Sequence, residues 1–164
     1  MKYNAIDLFC GGGGFSKGFE DANFKIVSAF DDEDSLKKTF NLNHKYKTFI
    51  TLDLSKGEIP YKYSDIDVVF GSPPCQGFSD ARGCRDPQND AEFRRNNLPF
   101  SFIEIVNQLQ PKIVLMENVS GIMTYKHKNR KILDIICEKF HEIGYAFTYK
   151  LLDSVKFGVP QKRI

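Results

Sequence analysis

Short apolar runs alternate with amphipathic stretches along most of the chain. Residues 3–9, 25–30, 46–50, 66–70 and 112–116 are β-type runs, the third the weakest of them. Between them, residues 15–22 and 33–42 read as helices, and 100–109 has helical apolar spacing at Phe102, Ile103, Ile105, Val106 and Leu109. The same spacing recurs over 129–143 at Ile132, Ile135, Ile136 and Phe140, and Gly144 follows as a C-cap. A last strand-like run covers 145–152. Strands alternating with helices predict an α/β fold, a largely parallel sheet with helices on both faces. The one long irregular stretch, residues 79–97, is too polar for core and has the length of an active-site lid.

With 164 residues the chain is long enough for one domain with its own core. No stretch approaches a membrane span or a signal peptide. The four cysteines, Cys10, Cys75, Cys84 and Cys137, have neither metal-site spacing nor a disulfide framework, which points to a reducing cytoplasm. A net charge of +2 argues neither for nor against nucleic acid, but Arg82, Arg85, Arg94 and Arg95 cluster in the polar stretch.

Two turns carry candidate chemistry. The run Asp7-Leu8-Phe9-Cys10-Gly11-Gly12-Gly13-Gly14 joins the first strand to the first helix, where glycine lets the backbone approach a ligand and the helix start offers free N–H groups. Asp31 ends the second strand, at the spacing where an acid meets a ribose, with Asp32 and Glu33 as alternatives in register. Asp53, after the third strand, is either an adenine contact or a solvated acid. This pattern suits a nucleoside-containing cofactor, either a dinucleotide or S-adenosylmethionine. The second turn is Gly71-Ser72-Pro73-Pro74-Cys75-Gln76, where two prolines stop the fourth strand and restrict the direction of Cys75. A thiol so placed is either a nucleophile or a core or capping residue.

The glycine turn, the Gly-Ser-Pro-Pro-Cys-Gln-Gly-Phe-Ser run at 71–79 and Met116-Glu117-Asn118-Val119, in this order, resemble the cytosine-5 DNA methyltransferases. Leu98 resembles the leucine of a further cofactor motif, and residues 158–163 match the start of another block. The likeness runs from residue 3 to the last residue. It implies a Rossmann-like, S-adenosylmethionine-dependent sheet, with the cofactor held by Phe9, Gly11, Gly13, Asp31, Asp53, Pro74 and Leu98. It also implies a catalytic set of Cys75 as the thiolate that adds to cytosine carbon 6, Glu117 on ring nitrogen 3, and Arg163 ordering the pocket. Asn118 is expected to hold the local backbone. The substrate implied is duplex DNA with the target base flipped out, in a restriction-modification setting, and residues 79–97 would close over it. No metal is implied.

Relative to that family the chain stops inside the Gln-x-Arg-x-Arg block, so residues 1–164 read as the N-terminal part of the catalytic domain. The sheet is expected to be incomplete at its C-terminal end, with no target-recognition domain. A second polypeptide or a natural continuation would supply the rest. An RNA cytosine methyltransferase of the same fold and a non-catalytic cofactor-binding remnant are the rival readings.

Overall fold

The computed structural model describes residues 3–74, 90–127 and 129–163, with residues 90–97 and 127 described by their backbone alone. The elements run β1 (Asn4–Leu8), α1 (Gly14–Asp21), β2 (Lys25–Asp31), α2 (Leu36–Asn43), β3 (Phe49–Thr51), β4 (Val68–Gly71), α3 (Asp90–Leu109) and β5 (Ile113–Met116). A two-rung hairpin, β6 (Lys126–His127) and β7 (Arg130–Lys131), then leads into α4 (Ile132–Glu142). The first five strands form one open parallel sheet in the order β3-β2-β1-β4-β5.

The pleat sorts the side chains between two layers. Ile6, Leu8 and Val69 join Phe102, Ile103, Val106, Ile136 and Phe140 on the side covered by α3 and α4. Ala5, Ile26, Ala29, Val68 and Phe70 pack with Phe40 on the other, against the aromatic rings of Phe15 and Phe19. Phe19 stacks on Phe70 with centroids 3.9 Å apart, and Phe15 meets the same ring edge-on at 4.9 Å. α1 is therefore clamped to the centre of the sheet.

Chain order reverses beside β1, since β2 and β3 lie on one side and β4 and β5 on the other. Ligands of open α/β sheets bind in the crevice that this reversal opens at the strands' carboxyl ends. There the two central backbones nearly touch. A Cβ built on Gly71 would lie 2.0 Å from the Leu8 carbonyl oxygen, so only glycine fits at the end of β4.

Three expectations need correction. The residues from Asp90 onward, read as part of an irregular stretch, belong to α3, so helical hydrogen bonding reaches well upstream of the apolar periodicity. Residues 145–152 form no strand. A strand exists through its cross-strand hydrogen bonds, and β5 is the edge of the sheet, with Ile113 and Leu115 60% and 47% exposed. The segment is held by side chains instead: the Tyr145 hydroxyl donates to the Pro111 carbonyl at 2.5 Å and Phe147 packs on Phe140. The hairpin also moves the start of α4 three residues beyond its predicted position, from 129 to 132.

Gly71→Ala should lower stability by roughly 1–3 kcal/mol or more, because the methyl group has only backbone to displace. Gly18→Ala, inside α1 with nothing within 4 Å of the added carbon, should raise it by about 0.5–1 kcal/mol. Urea unfolding of both variants checks the pair, and equal shifts would contradict the close approach of β4 to β1.

Candidate active site at the carboxyl edge of the sheet

The glycine turn begins where β1 ends. Phe9, Gly11 and Gly13 all have positive φ, at 61°, 54° and 88°. The Cys10 N–H donates to the Phe30 carbonyl at 2.9 Å and the Gly13 N–H to the Cys10 carbonyl at 2.9 Å, so the turn coils back onto β2. Cβ atoms built on Gly11, Gly12 and Gly14 would meet nothing within 4 Å. Packing within the protein therefore does not require the room at these three positions. A surface left bare in this way suits a ligand approaching the backbone and the start of α1.

Gly13 is different, because its inner side is full. A Cβ there would lie 2.1 Å from His44 Nε2 and 2.8 Å from Phe40 Cδ2. His44 is buried, stacks on Phe40 at 4.0 Å and bonds through Nδ1 to Glu20 Oε2 at 3.2 Å. The glycine turn thus rests on a Glu20–His44 pair joining α1 to the end of α2. No feature of the sequence singled out these two residues.

Of the three acids ending β2, Asp31 is the one that reaches the turn. Its Oδ2 accepts from the Gly11 N–H at 2.8 Å and its Oδ1 from the Glu33 N–H at 3.1 Å. Each oxygen keeps a lone pair for a further donor. At Asp32, partial desolvation together with the Asp31 charge pushes the carboxyl up. Asp53 accepts from the Ser55 N–H at 2.8 Å and caps the short 3-10 turn Leu54–Lys56.

Asp7 lies beneath the turn, 1% exposed, on the face of β1 toward α1. Ser16 donates to its Oδ2 at 2.6 Å, while its buried Oδ1 has no hydrogen-bond partner among the described residues. Burial, reinforced by Asp31, raises its pKa to about 7 against the Ser16 hydrogen bond. A lone acid within an apolar strand run was the sequence signal for this residue. Burial, with Asp7 and Asp31 nearby, also holds the Cys10 thiol protonated far above its usual range, so Cys10 is no nucleophile.

Across the crevice the second and third motifs are tied together. The Glu117 N–H donates to the Gly71 carbonyl at 2.9 Å, and Asn118 Nδ2 donates to the Pro73 carbonyl at 3.2 Å. Asn118 Oδ1 also accepts from the Val119 N–H at 3.0 Å, so this side chain braces backbone on both strands' ends, as expected. Pro74 and Leu98 are half-buried, Leu98 on α3. Cys75 lies outside the described residues, as do Arg82, Cys84 and Arg85, and of Arg94 and Arg95 only the helical backbone is described. Arg163 is exposed, and its carbonyl accepts from the Ser154 N–H at 2.9 Å. Its side chain is not brought to Glu117 by any described contact.

The sheet order, the glycine turn and the acid on β2 are those of the S-adenosylmethionine-dependent methyltransferases. The S. pombe Dnmt2 methyltransferase has this fold, with a TM-score of 0.67 and 22% identity over 99% of this chain and 48% of that one. The C-5 cytosine-specific DNA methylase model matches residues 3–164, and the chain belongs to that family. The Type II methyltransferase M.DdeI of Desulfomicrobium norvegicum is 39% identical over 98% of this chain and 38% of its own length. M1.HphI of Haemophilus parahaemolyticus is 36% identical over 99% of this chain and 44% of its own. The chain thus spans about four-tenths of the length of these relatives. The methyl donor of the family is S-adenosylmethionine, and the open glycine turn flanked by Asp31 fits it. Among the described residues no helix is long and apolar enough to cross a membrane.

Because the folded state holds the Asp7 proton up to about pH 7 and the unfolded chain releases it near 3.8, stability should fall as pH rises through that window and level off above it. The fall should be on the order of 4 kcal/mol at most. Asp7→Asn should remove this slope. Denaturant titrations at pH 5 and pH 8 compare the two proteins, and parallel behaviour would refute the buried proton.

Proposed function

We propose that this chain is the cofactor-binding and catalytic portion of an enzyme that methylates carbon 5 of cytosine in duplex DNA. The observation that carries the reading is the Asn118–Pro73 hydrogen bond, with the Glu117–Gly71 bond beside it. Together they draw the Gly71–Pro74 turn, which leads into Cys75 along the chain, and the Glu-Asn-Val segment to one crevice, across from a glycine turn with unused room. Phe9, Gly11, Gly13, Asp31, Asp53, Pro74 and Leu98 would hold the cofactor, Asp31 accepting from its ribose. When bound, S-adenosylmethionine supplies an electrophilic methyl group on a sulfonium.

Carbon 5 of cytosine is too weak a nucleophile without activation. The Cys75 thiolate adds to carbon 6, and the electron pair moves to carbon 5 as ring nitrogen 3 takes a hydrogen bond or proton from Glu117. Once carbon 5 carries the methyl group, its proton is removed, the carbon–sulfur bond breaks and the thiolate leaves. Arg163 would order the pocket. In a duplex this chemistry needs the base flipped out.

Type II relatives favour a role in restriction and modification in a bacterial cytoplasm, and the family favours DNA over RNA as substrate.

The full-length protein should be trapped covalently on DNA containing 5-fluorocytosine, since the fluorine blocks the final elimination. Cys75→Ser should abolish trapping and Cys84→Ser should leave it intact; a complex that survives Cys75→Ser rules out that nucleophile. Asp31→Ala should weaken S-adenosylmethionine binding about ten-fold or more, as for a lost hydrogen bond to a charged group. Unchanged affinity by calorimetry would remove Asp31 from the cofactor site.

A further inference from the structure

The segment from Lys126 to Lys131 reads Lys-His-Lys-Asn-Arg-Lys, the densest basic run in the chain. Its described ends pair as β6 and β7, with Lys126 directly opposite Lys131 and His127 opposite Arg130. Asn129, just ahead of β7, takes φ 65°. Like charges facing each other across an antiparallel pair destabilise it. A hairpin of two rungs has little hydrogen bonding to set against that repulsion.

The neighbouring acids offset only part of this charge. Glu138 on α4 accepts two hydrogen bonds from Arg130, at 2.5 and 2.7 Å, and Asp134 adds an attraction to the same guanidinium. That pair is exposed and ties the hairpin to the helix more than it stabilises the fold. Among the described residues neither Lys126 nor Lys131 has an ion-pair partner, and both are exposed. Folding alone gives no reason to oppose two lysines here.

The position supplies one. α4 follows a parallel strand and runs back across the sheet, so its start lies at the strands' carboxyl edge, and the hairpin directly precedes that start. The Ile132 N–H donates to the Tyr125 carbonyl at 3.0 Å, closing the base of the hairpin, while buried Ile122 and Ile132 anchor it on both sides. Eight residues separate Glu117 from Lys126. The basic ladder therefore stands on the edge that carries the glycine turn, Pro74 and Glu117.

We propose that Lys126 and Lys131 form a phosphate-binding ladder that grips the backbone of duplex DNA beside the catalytic crevice. This rests on the DNA-methylating reading. Two phosphates set between these side chains would neutralise the repulsion that the free protein retains. Such contacts position the duplex and carry no sequence information.

The test uses the full-length protein and a duplex containing its target. Lys126→Gln/Lys131→Gln should make the slope of log affinity against log salt shallower by about 2, equally for target and non-target DNA. S-adenosylmethionine affinity should be unchanged, which also shows that the variant is folded. The matched control Lys25→Gln/Lys139→Gln, at the opposite edge of the sheet, removes the same charge and should leave the slope alone. Lys126→Glu creates an opposite-charge rung, so it should unfold at higher urea than wild type while binding DNA more weakly. An unchanged slope in the double variant, or an equal change in the control, would overturn the proposal. So would preferential, lysine-dependent binding of duplex RNA. Covalent trapping of the wild type on 5-fluorocytosine DNA reports on the catalytic reading separately, so either can fail while the other stands.

Discussion

Parallel pairing of β1 with β2 on one side and β4 on the other is the constraint from which the rest of this molecule follows. Parallel neighbours end at the same edge, so every loop leaving a strand's carboxyl end is delivered to one side of the sheet. The reversal of order at β1 separates the loop after β1 from the loop after β4 and leaves a crevice between them. The glycine turn, Asp31, Pro74 and Glu117 meet there without being close in sequence. The backbone contact between Gly71 and Leu8 narrows that crevice at its floor, and the aromatic clamp of Phe15, Phe19 and Phe70 keeps α1 aimed at it.

Polar groups beneath the crevice cost stability that the hydrophobic layers must offset. Among the described residues, one buried oxygen of Asp7 and one of Glu20 have no hydrogen-bond partner, although the other oxygen of Glu20 meets His44. Buried groups of this kind are expensive unless something requires them. Here they hold the turn from below. Ser16 links Asp7 to the first turn of α1, and His44 fills the space that a larger residue at position 13 would need. The face of the turn toward the crevice stays bare, so rigidity comes from behind and access from in front.

The periphery is arranged differently. β5 ends the sheet with half of its apolar side chains exposed, and the hairpin before α4 sets cations against each other. Both features are unfavourable for this chain considered alone. Each becomes intelligible if the surface meets something further, which for the hairpin is an anionic polymer lying along the carboxyl edge.

The alternation of strands and helices was legible in the chain because apolar period is a local property. The presence of the five sheet strands, the helix over Phe102 to Leu109 and the two prolines that follow β4 needed no tertiary information. The glycine turn was legible too, since its glycines owe their role to backbone geometry within a few residues of themselves. Asp31 was distinguished from Asp32 and Glu33 only by its bond to Gly11, which depends on how β1 and β2 align. Residues 145–152 have strand composition yet pair with nothing, because strand formation requires a neighbour and composition cannot supply one. The Glu20–His44 support and the opposition of Lys126 to Lys131 arise from packing and register, where contacts between residues distant along the chain, or across a turn, decide which charges meet.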